Sequence, residues 1–417
     1  RCCKIMVSTM IRQTLLFFTV LSVASCSSLT GYFAGEDNAE PPEPLPEYDN
    51  TLQVNVLWDA SVGDGFAKQI VQLVPAVGGD RVFAADRAGT VMAFNKTTGE
   101  ELWENETELA IAAGPGYGSG LVIVGTSDAE VLALNESDGS VAWKVNVTSE
   151  ILAVPRIADD VVVVRTIDGR LYGLELSTGL QKWFFDWPVP VLTLRGTSAP
   201  ALTSDMAVVG LSSGKVNALD LSDGELQWES SVSIPSGRTD LERMIDIDAD
   251  PLISDGNAYI ATYQGELAAL EVETGVVLWK RKISAYAGLV ADWSQLYVVD
   301  DRSSVWAVDP DNGASFWKQS DLAMRKLTAP VVQGDYVVTA DYEGYLHWLS
   351  RSDGSFVAKL EVDDAGISTS ASVVDDVLYV LSNDGLLMAV SIGENIPQPA
   401  EVEKPAEEES GSWWKPW

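Results

Sequence analysis

The chain has 417 residues, 46% of them hydrophobic and 21% charged, with 34 glycines and 14 tryptophans, a balance that builds a large core and excludes a fibrous or disordered protein. Sixty-one acidic against 27 basic residues leave a net charge of −34, a surface that repels nucleic acid and anionic lipid headgroups. All three cysteines, Cys2, Cys3 and Cys26, fall in the first 26 residues, so a disulfide framework, a cysteine nucleophile and a thiolate metal site are excluded from the body.

In chain order, Arg12 begins a short basic head, with Met6 and Met10 as alternative starts, and the apolar run Leu15 to Ala24 follows. The run is short for a bilayer span and has the length of a signal-peptide core. It ends in Val23-Ala24-Ser25-Cys26, which resembles the lipobox of bacterial lipoproteins, where the cysteine receives diacylglycerol before cleavage. Residues 1–26 are therefore read as a lipoprotein leader with Cys26 as the lipidated residue. Ser27, where an aspartate would resemble an inner-membrane retention signal, points to the outer membrane. From Cys26 onward there are 24 basic and 61 acidic residues, so lipid, and not charge, supplies the anchoring. Residues 27–50 are rich in proline and glutamate, the composition of an extended tether reaching up to about 70 Å at about 3 Å per residue. Residues 394–417, again rich in Glu and Pro and ending Trp413-Trp414-Lys415-Pro416-Trp417, read as a disordered acidic tail.

Between the two tails the sequence repeats. Gly89 to Trp103 and Gly265 to Trp279 share one pattern: an Ala-containing strand, a Gly turn, then a tryptophan four residues on. It recurs around Trp143, Trp183, Trp228 and Trp317, and a seventh copy from Gly344 to Ala358 has Trp348 in the Ala slot and Ala358 in the Trp slot. We read this as a size exchange within one pocket. A β-branched strand precedes each copy: Arg81–Asp86, Leu121–Thr126, Val161–Thr166, Met206–Leu211, Asn257–Thr262, Gln295–Asp300, Tyr336–Asp341 and Val377–Ser382. Short apolar and alternating runs between Gly and Asp turns are strands, and no segment of the body has helical periodicity. With a further strand before each copy, residues 51–393 give eight units of about 43 residues, the size of four-stranded propeller blades. The last copy stops at Val390 without a tryptophan strand, whereas Leu52 to Trp58 is a tryptophan strand without a preceding motif. The expected fold is all-β: an eight-bladed propeller of four-stranded antiparallel blades, closed by pairing of the N- and C-terminal strands. Trp58, Trp103, Trp143, Trp183, Trp228, Trp279 and Trp317 then serve structure, each indole docking on the neighbouring motif's turn.

Several motifs resemble chemistry without its context. His347 is the only histidine, with no second imidazole or thiolate to complete a metal or nucleophile set. Gly210 to Lys215 is one residue short of a phosphate loop and leads into a strand instead of a helix. The glycine-rich run Gly114 to Gly120 also precedes a strand. Asp246, Asp248 and Asp250 alternate, but acid–base work needs opposed geometry that spacing does not show. Repeat spacing is more telling: tryptophan slots lie 40, 45, 51 and 38 residues apart from Trp143 to Trp317, so two consecutive blades carry insertions, common places for binding loops. The first, Asp186 to Arg195, contains the apolar-plus-Arg set Leu192, Leu194 and Arg195, which is typical of interface anchors; the other reading is that Leu192 and Leu194 simply begin the next blade. The second, Ser233 to Asp250, holds Arg238, Glu242, Arg243, Asp246 and Asp248.

The repeat Ala-x-(Asp/Asn/Glu)-x-x-(Thr/Asp)-Gly-x-x-x-Trp resembles the repeats of quinoprotein dehydrogenases. With the lipobox, eight blades and cysteine-free body, residues 20–393 resemble the BamB family, propeller lipoproteins of the outer-membrane β-barrel assembly machinery. The resemblance implies a non-catalytic scaffold without a cofactor, lipid-anchored on the periplasmic face of the outer membrane. It further implies that the scaffold binds a periplasmic POTRA domain of BamA and other subunits of the complex, assists insertion of outer-membrane proteins and touches unfolded ones. Leu192, Leu194, Arg195, Asp246 and Asp248 stand where the family's contact loops place partner-binding residues. The acidic tail and the exchanged seventh repeat depart from the family. The alternative is a quinone-dependent dehydrogenase, which generally needs bound Ca²⁺, a catalytic carboxylate and often a vicinal cysteine pair; Cys2-Cys3 precedes the signal core and cannot serve. A weaker third reading is a propeller that binds cell-wall glycans.

Overall fold

Runs of five or six β-branched residues broken by Gly and Asp turns pair most cheaply with their sequence neighbours, because each turn closes a short loop. In the computed structural model, which describes residues 40–66, 69–190, 192–194 and 198–395, the runs form eight antiparallel sheets arranged as an eight-bladed β-propeller. The blades span 76–106, 111–146, 156–186, 201–231, 252–281, 289–319 and 331–361 (blades 1 to 7). Blade 8 combines Ser372–Val374, Val377–Leu381 and Leu386–Asn395 with Leu52–Ser61 as its outermost strand. There Trp58 faces Ala389 and Asp59 faces Met388, so the two ends of the propeller sequence close the ring. Blade 2 gains a fifth, parallel strand, Gln72–Leu73, beside Ile111–Gly118. Among the described residues there is no helix. Cys26 and residues 396–417, including the terminal tryptophans, lie outside them.

The core lies between blades, and tryptophans stitch it. In each outer strand the register slips by one residue just before the indole, as where Ala133 faces Trp143 and Leu134 faces Val141. That bulge turns the ring toward the next blade. The indole N–H of Trp58, Trp103, Trp143, Trp183, Trp228, Trp279 and Trp317 donates to a carbonyl in the next blade's turn between its third and outer strands. The acceptors are Lys96, Glu136, Leu176, Leu221, Val272, Pro310 and Arg351, at 2.7 to 3.0 Å. The glycine of that turn takes the indole face. Gly139, for example, has a φ of +68°, and a Cβ there would lie 2.5 Å from Trp103. A non-glycine residue would be strained twice, by backbone and by overlap.

Blade 7 departs from the rule for a topological reason. Blade 8 has no turn between its third and outer strands, because the outer one arrives from the N-terminal side, so a tryptophan in blade 7 would find nothing to clasp. Trp348 instead faces Ala358 across the same two strands, which places the size exchange within one cross-strand pair. Its indole donates to Gln333 Oε1 at 2.9 Å, and Gln333 Nε2 reaches across the seam to the carbonyls of Asp376 and Val390.

Residues 43–51, of which 43–50 fall in the expected extended tether, form a strap along the outer edge of blade 7. Glu43 N–H donates to Ala323 O, Asn50 exchanges two hydrogen bonds with the Lys359 backbone, and Thr51 N–H donates to Val357 O. Tyr48 stacks on Phe356 with 4.9 Å between ring centroids, and its hydroxyl reaches Ala358 O at 3.2 Å. The aromatic ring and the asparagine amide give a proline-rich segment enough partners to be held.

Replacing Trp143 by Ala is expected to lower stability by about 3–5 kcal/mol, and Gly139→Ala by about 1–3 kcal/mol. Denaturant titration followed by indole fluorescence measures both; unchanged midpoints would contradict the clasp.

Candidate partner-binding face

An antiparallel meander sends its connections alternately to two ends. The loops between second and third strands share one end with the blade-to-blade connections, and both insertions are such connections: blade 3 to blade 4 and blade 4 to blade 5. They are neighbours on that face. Exposed apolar residues stand on both, with Leu192 45%, Leu241 62% and Ile234 77% accessible. Behind the first insertion is a hollow of about 170 Å³, lined among others by Leu152, Arg165, Trp187, Val189 and Leu194.

Beneath the loops lies a buried charge cluster. Arg165, which follows four valines in the strand Val161–Thr166 of blade 3, is 3% exposed. It donates to Ser198 O at 2.9 Å and to Ser198 Oγ at 2.8 Å, and lies 5.5 Å from the Trp187 ring. From the other side, Asp246 accepts the Leu194 N–H, Asp250 accepts the Ala199 N–H at 2.6 Å, and Ser198 Oγ donates to Ile247 O. The connection from blade 3 to blade 4 is thus held at Leu194 and at Ala199 by backbone hydrogen bonds to side chains of the second insertion. Burial pulls the Arg165 pKa down to about 10, against the attraction of Asp248, Asp250 and Asp246, and leaves it charged at neutral pH. Burial, then repulsion from Asp246, pushes Asp248 up to about 7, with Arg165 opposing. Asp246 is also raised, by burial. Arg165 Nε, Asp246 Oδ1 and Asp248 Oδ2 have no hydrogen-bond partner among the described residues, which makes the cluster costly.

The residues expected at a partner surface separate accordingly. Leu192 is exposed and Leu194 half-buried beside it; Arg195 lies outside the described residues. Asp246 is 1% exposed and sits under the loop instead of on it, because its carboxylate is needed by the Leu194 N–H. Asp248 is partly exposed and lines the central cavity of about 780 Å³. Arg165 and Ser198 escaped the sequence reading; the available signal was a lone arginine in a valine-rich strand.

His347 proves to be fully buried within a second ionic group. Its Nε2 is 3.0 Å from Asp341 Oδ2, which also binds Arg325, and its Nδ1 is 3.4 Å from the Tyr48 hydroxyl. Burial holds the His347 pKa below its ordinary value against the pull of Asp341. Burial works against the Asp341 carboxylate, but the His347, Tyr345 and Arg325 contacts outweigh it and hold its pKa low. A calcium–quinone pair would require a carboxylate cluster facing the channel; among the described residues no group of three or more His, Cys, Asp or Glu is placed to hold a metal.

A family profile described as outer membrane protein assembly factor BamB matches residues 54–111 and 87–319. The chain is 50% identical over 351 residues to the outer membrane protein assembly factor BamB of Alkalilimnicola ehrlichii, covering 84% of this chain and 92% of that protein. It is 45% identical to that of Pseudomonas aeruginosa and 35% identical to that of Escherichia coli, covering 91% of this chain and 99% of each relative. The crystal structure of BamB from Moraxella catarrhalis superposes with a TM-score of 0.74 at 26% identity, covering 81% of this chain and all of that one. A quinohemoprotein alcohol dehydrogenase from Comamonas testosteroni reaches 0.65 at 12% identity, over 84% of this chain and 78% of that one, which is a likeness of fold.

The raised Asp248 pKa sets a pH dependence. Between about pH 4, where an unfolded carboxyl titrates, and about pH 7, the folded protein holds a proton that the unfolded chain has lost. Stability therefore falls as pH rises through that window, and the penalty is complete above it. Asp248→Asn should stabilise the protein at pH 8 more than at pH 5. Melting curves at both pH values check this; equal shifts would count against a desolvated, protonatable Asp248.

Proposed function

The chain belongs to the BamB family of outer membrane protein assembly factors, and we propose that it works as a non-catalytic scaffold of that machinery. In this reading it is held to the outer membrane, on the periplasmic side, by lipid at Cys26, and it binds a POTRA domain of BamA. The observation that carries the reading is the pair of neighbouring insertions on one face, with Leu192 exposed above a backbone that Asp246, Asp250 and Arg165 hold in place. An apolar residue beside a backbone held by hydrogen bonds loses less conformational freedom on binding, which suits an interface centre. Arg195, adjacent to Leu194, adds a cation able to pair with a partner's carboxylate. Asp246 and Asp248 contribute from below, Asp246 by bracing Leu194 and Asp248 by offsetting the Arg165 charge.

The dehydrogenase reading has the fold in its favour and nothing else. A propeller ring is a general scaffold, and function resides in the groups placed on it.

Capture of the periplasmic domains of BamA by the double variant Leu192→Ala/Leu194→Ala should be at least about tenfold weaker, as expected for loss of a two-residue hot spot. Leu278→Ala, on the outer strand of blade 5, should leave capture unchanged. Equal capture by all three proteins would sink the loop assignment. Separately, Cys26→Ser should move the protein from the membrane fraction to the soluble fraction.

A further inference from the structure

The turns that join the first strand of each blade to its second lie on the face opposite the insertions. In seven blades the two residues at the tip of this turn are drawn only from Gly, Asp and Ser, as in Asp255-Gly256 of blade 5 and Gly334-Asp335 of blade 7. These are the residues that tight turns favour. Blade 6 has Trp293-Ser294 instead, closed by the Asp292 N–H donating to Gln295 O at 2.9 Å. An indole does nothing for such a turn, and the work passes to the preceding carboxylate. Asp292 Oδ1 accepts the N–H of Ser294 at 2.6 Å, the N–H of Gln295 at 2.9 Å and the Ser294 hydroxyl at 2.9 Å. Asp292 Oδ2 accepts the Tyr297 hydroxyl at 3.0 Å and pairs with Arg351, from the turn between the third and outer strands of blade 7. The braced turn holds Trp293 out in water. It is 86% accessible, more than any other large apolar side chain among the described residues.

We propose that Trp293 is the anchor of a second docking surface, on the face away from the insertions, for a protein segment that presents arginine or lysine beside an apolar side chain. A lone exposed apolar residue needs no explanation, but this one is a tryptophan fixed by a charged brace at a position where its seven counterparts are small or acidic. Tryptophan is the side chain most often found at the centre of an interface, and its ring face is the best platform for a cation. The surroundings supply the complementary charge. On adjoining turns Asp255, Asp311, Asp335 and Asp353 are exposed, and Asp335 reaches the already paired Arg351 only at 3.9 Å. Other cations of this face are paired too, Lys96 with Asp375 and Lys182 with Asp160. The patch therefore attracts a basic segment and repels anionic lipid headgroups and acidic cell-wall fragments. An arginine laid on the indole pairs with a neighbouring carboxylate at the same time. The ring thereby offers two faces to two partners, and this second face does not depend on the reading of the insertions.

Fluorescence anisotropy of a fluorescein-labelled peptide, Gly-Arg-Phe-Arg-Leu-Arg-Gly, titrated with the full-length protein tests this. Peptides with Gln or Glu in place of every Arg serve as controls. The Arg peptide should bind, with affinity falling as salt rises, the Gln peptide should bind at least about tenfold more weakly, and the Glu peptide should not bind. Trp293→Ala should weaken capture of the Arg peptide at least about tenfold, and Trp293→Phe, which keeps an aromatic face, should lose less. Asp255→Asn/Asp335→Asn should weaken capture and flatten its dependence on salt. Leu192→Ala/Leu194→Ala should bind the peptide as the unaltered protein does, which separates this surface from the insertions. Because Trp293 stands in water, its replacement should leave the denaturant midpoint unchanged. Absence of binding by the Arg peptide, equal binding by the unaltered protein and Trp293→Ala, or equal binding of the Arg and Gln peptides would each overturn the proposal. Loss of peptide binding in Leu192→Ala/Leu194→Ala would do the same. So would Trp293-dependent binding of soluble peptidoglycan fragments or of phosphatidylglycerol vesicles in place of the peptide.

Discussion

The hydrogen bond from an indole to the next blade's turn, made over a glycine that cannot be anything larger, is the contact on which the rest of the ring depends. Each blade is a small sheet with two apolar faces, unable to bury both alone. Seven indoles tie one blade to the next, and the glycine beneath each ring sets how closely the sheets approach. The eighth junction cannot be made this way, because the outer strand of blade 8 comes from the N-terminal end of the propeller sequence and is not joined to the third by a turn. Closure by the chain ends and the missing tryptophan in blade 7 are one constraint seen twice.

A scaffold braced at every junction tolerates elaboration at its connections, and two of them are elaborated side by side. What lies beneath these loops is costly: an arginine and three aspartates drawn partly or wholly out of water, with several polar atoms unpaired. Such a cluster adds little to stability. Its effect is positional, since Asp246 and Asp250 accept the backbone N–H groups of Leu194 and Ala199 in the neighbouring connection.

Much of this was legible in the residues. Tryptophan spacing, glycine turns and the complementary halves at the two ends specify the number of blades, their order and their closure, because these depend on local pairing between sequence neighbours. The exchange of Trp348 and Ala358 was readable for the same reason, as the two positions face each other within one hairpin. Less legible was the surrounding of His347. A solitary histidine in the sequence is, in the folded chain, enclosed by Asp341, Arg325 and Tyr48, the last of these 299 positions away. Arg165 is similar: nothing in a run of valines tells which carboxylates from another blade will face it.

By itself, then, the sequence determined the repeat, the ring, its closure and the two places where the ring is elaborated, since periodic contacts between adjacent strands leave a periodic trace. Only the tertiary structure decided that Asp246 supports a loop from below and that the proline-rich segment 43–51 lies fastened along blade 7. Those outcomes turn on burial and on contacts between distant segments. Whether a charge meets water, a backbone amide or an opposite charge is settled by packing, and packing of that kind leaves no period in the chain.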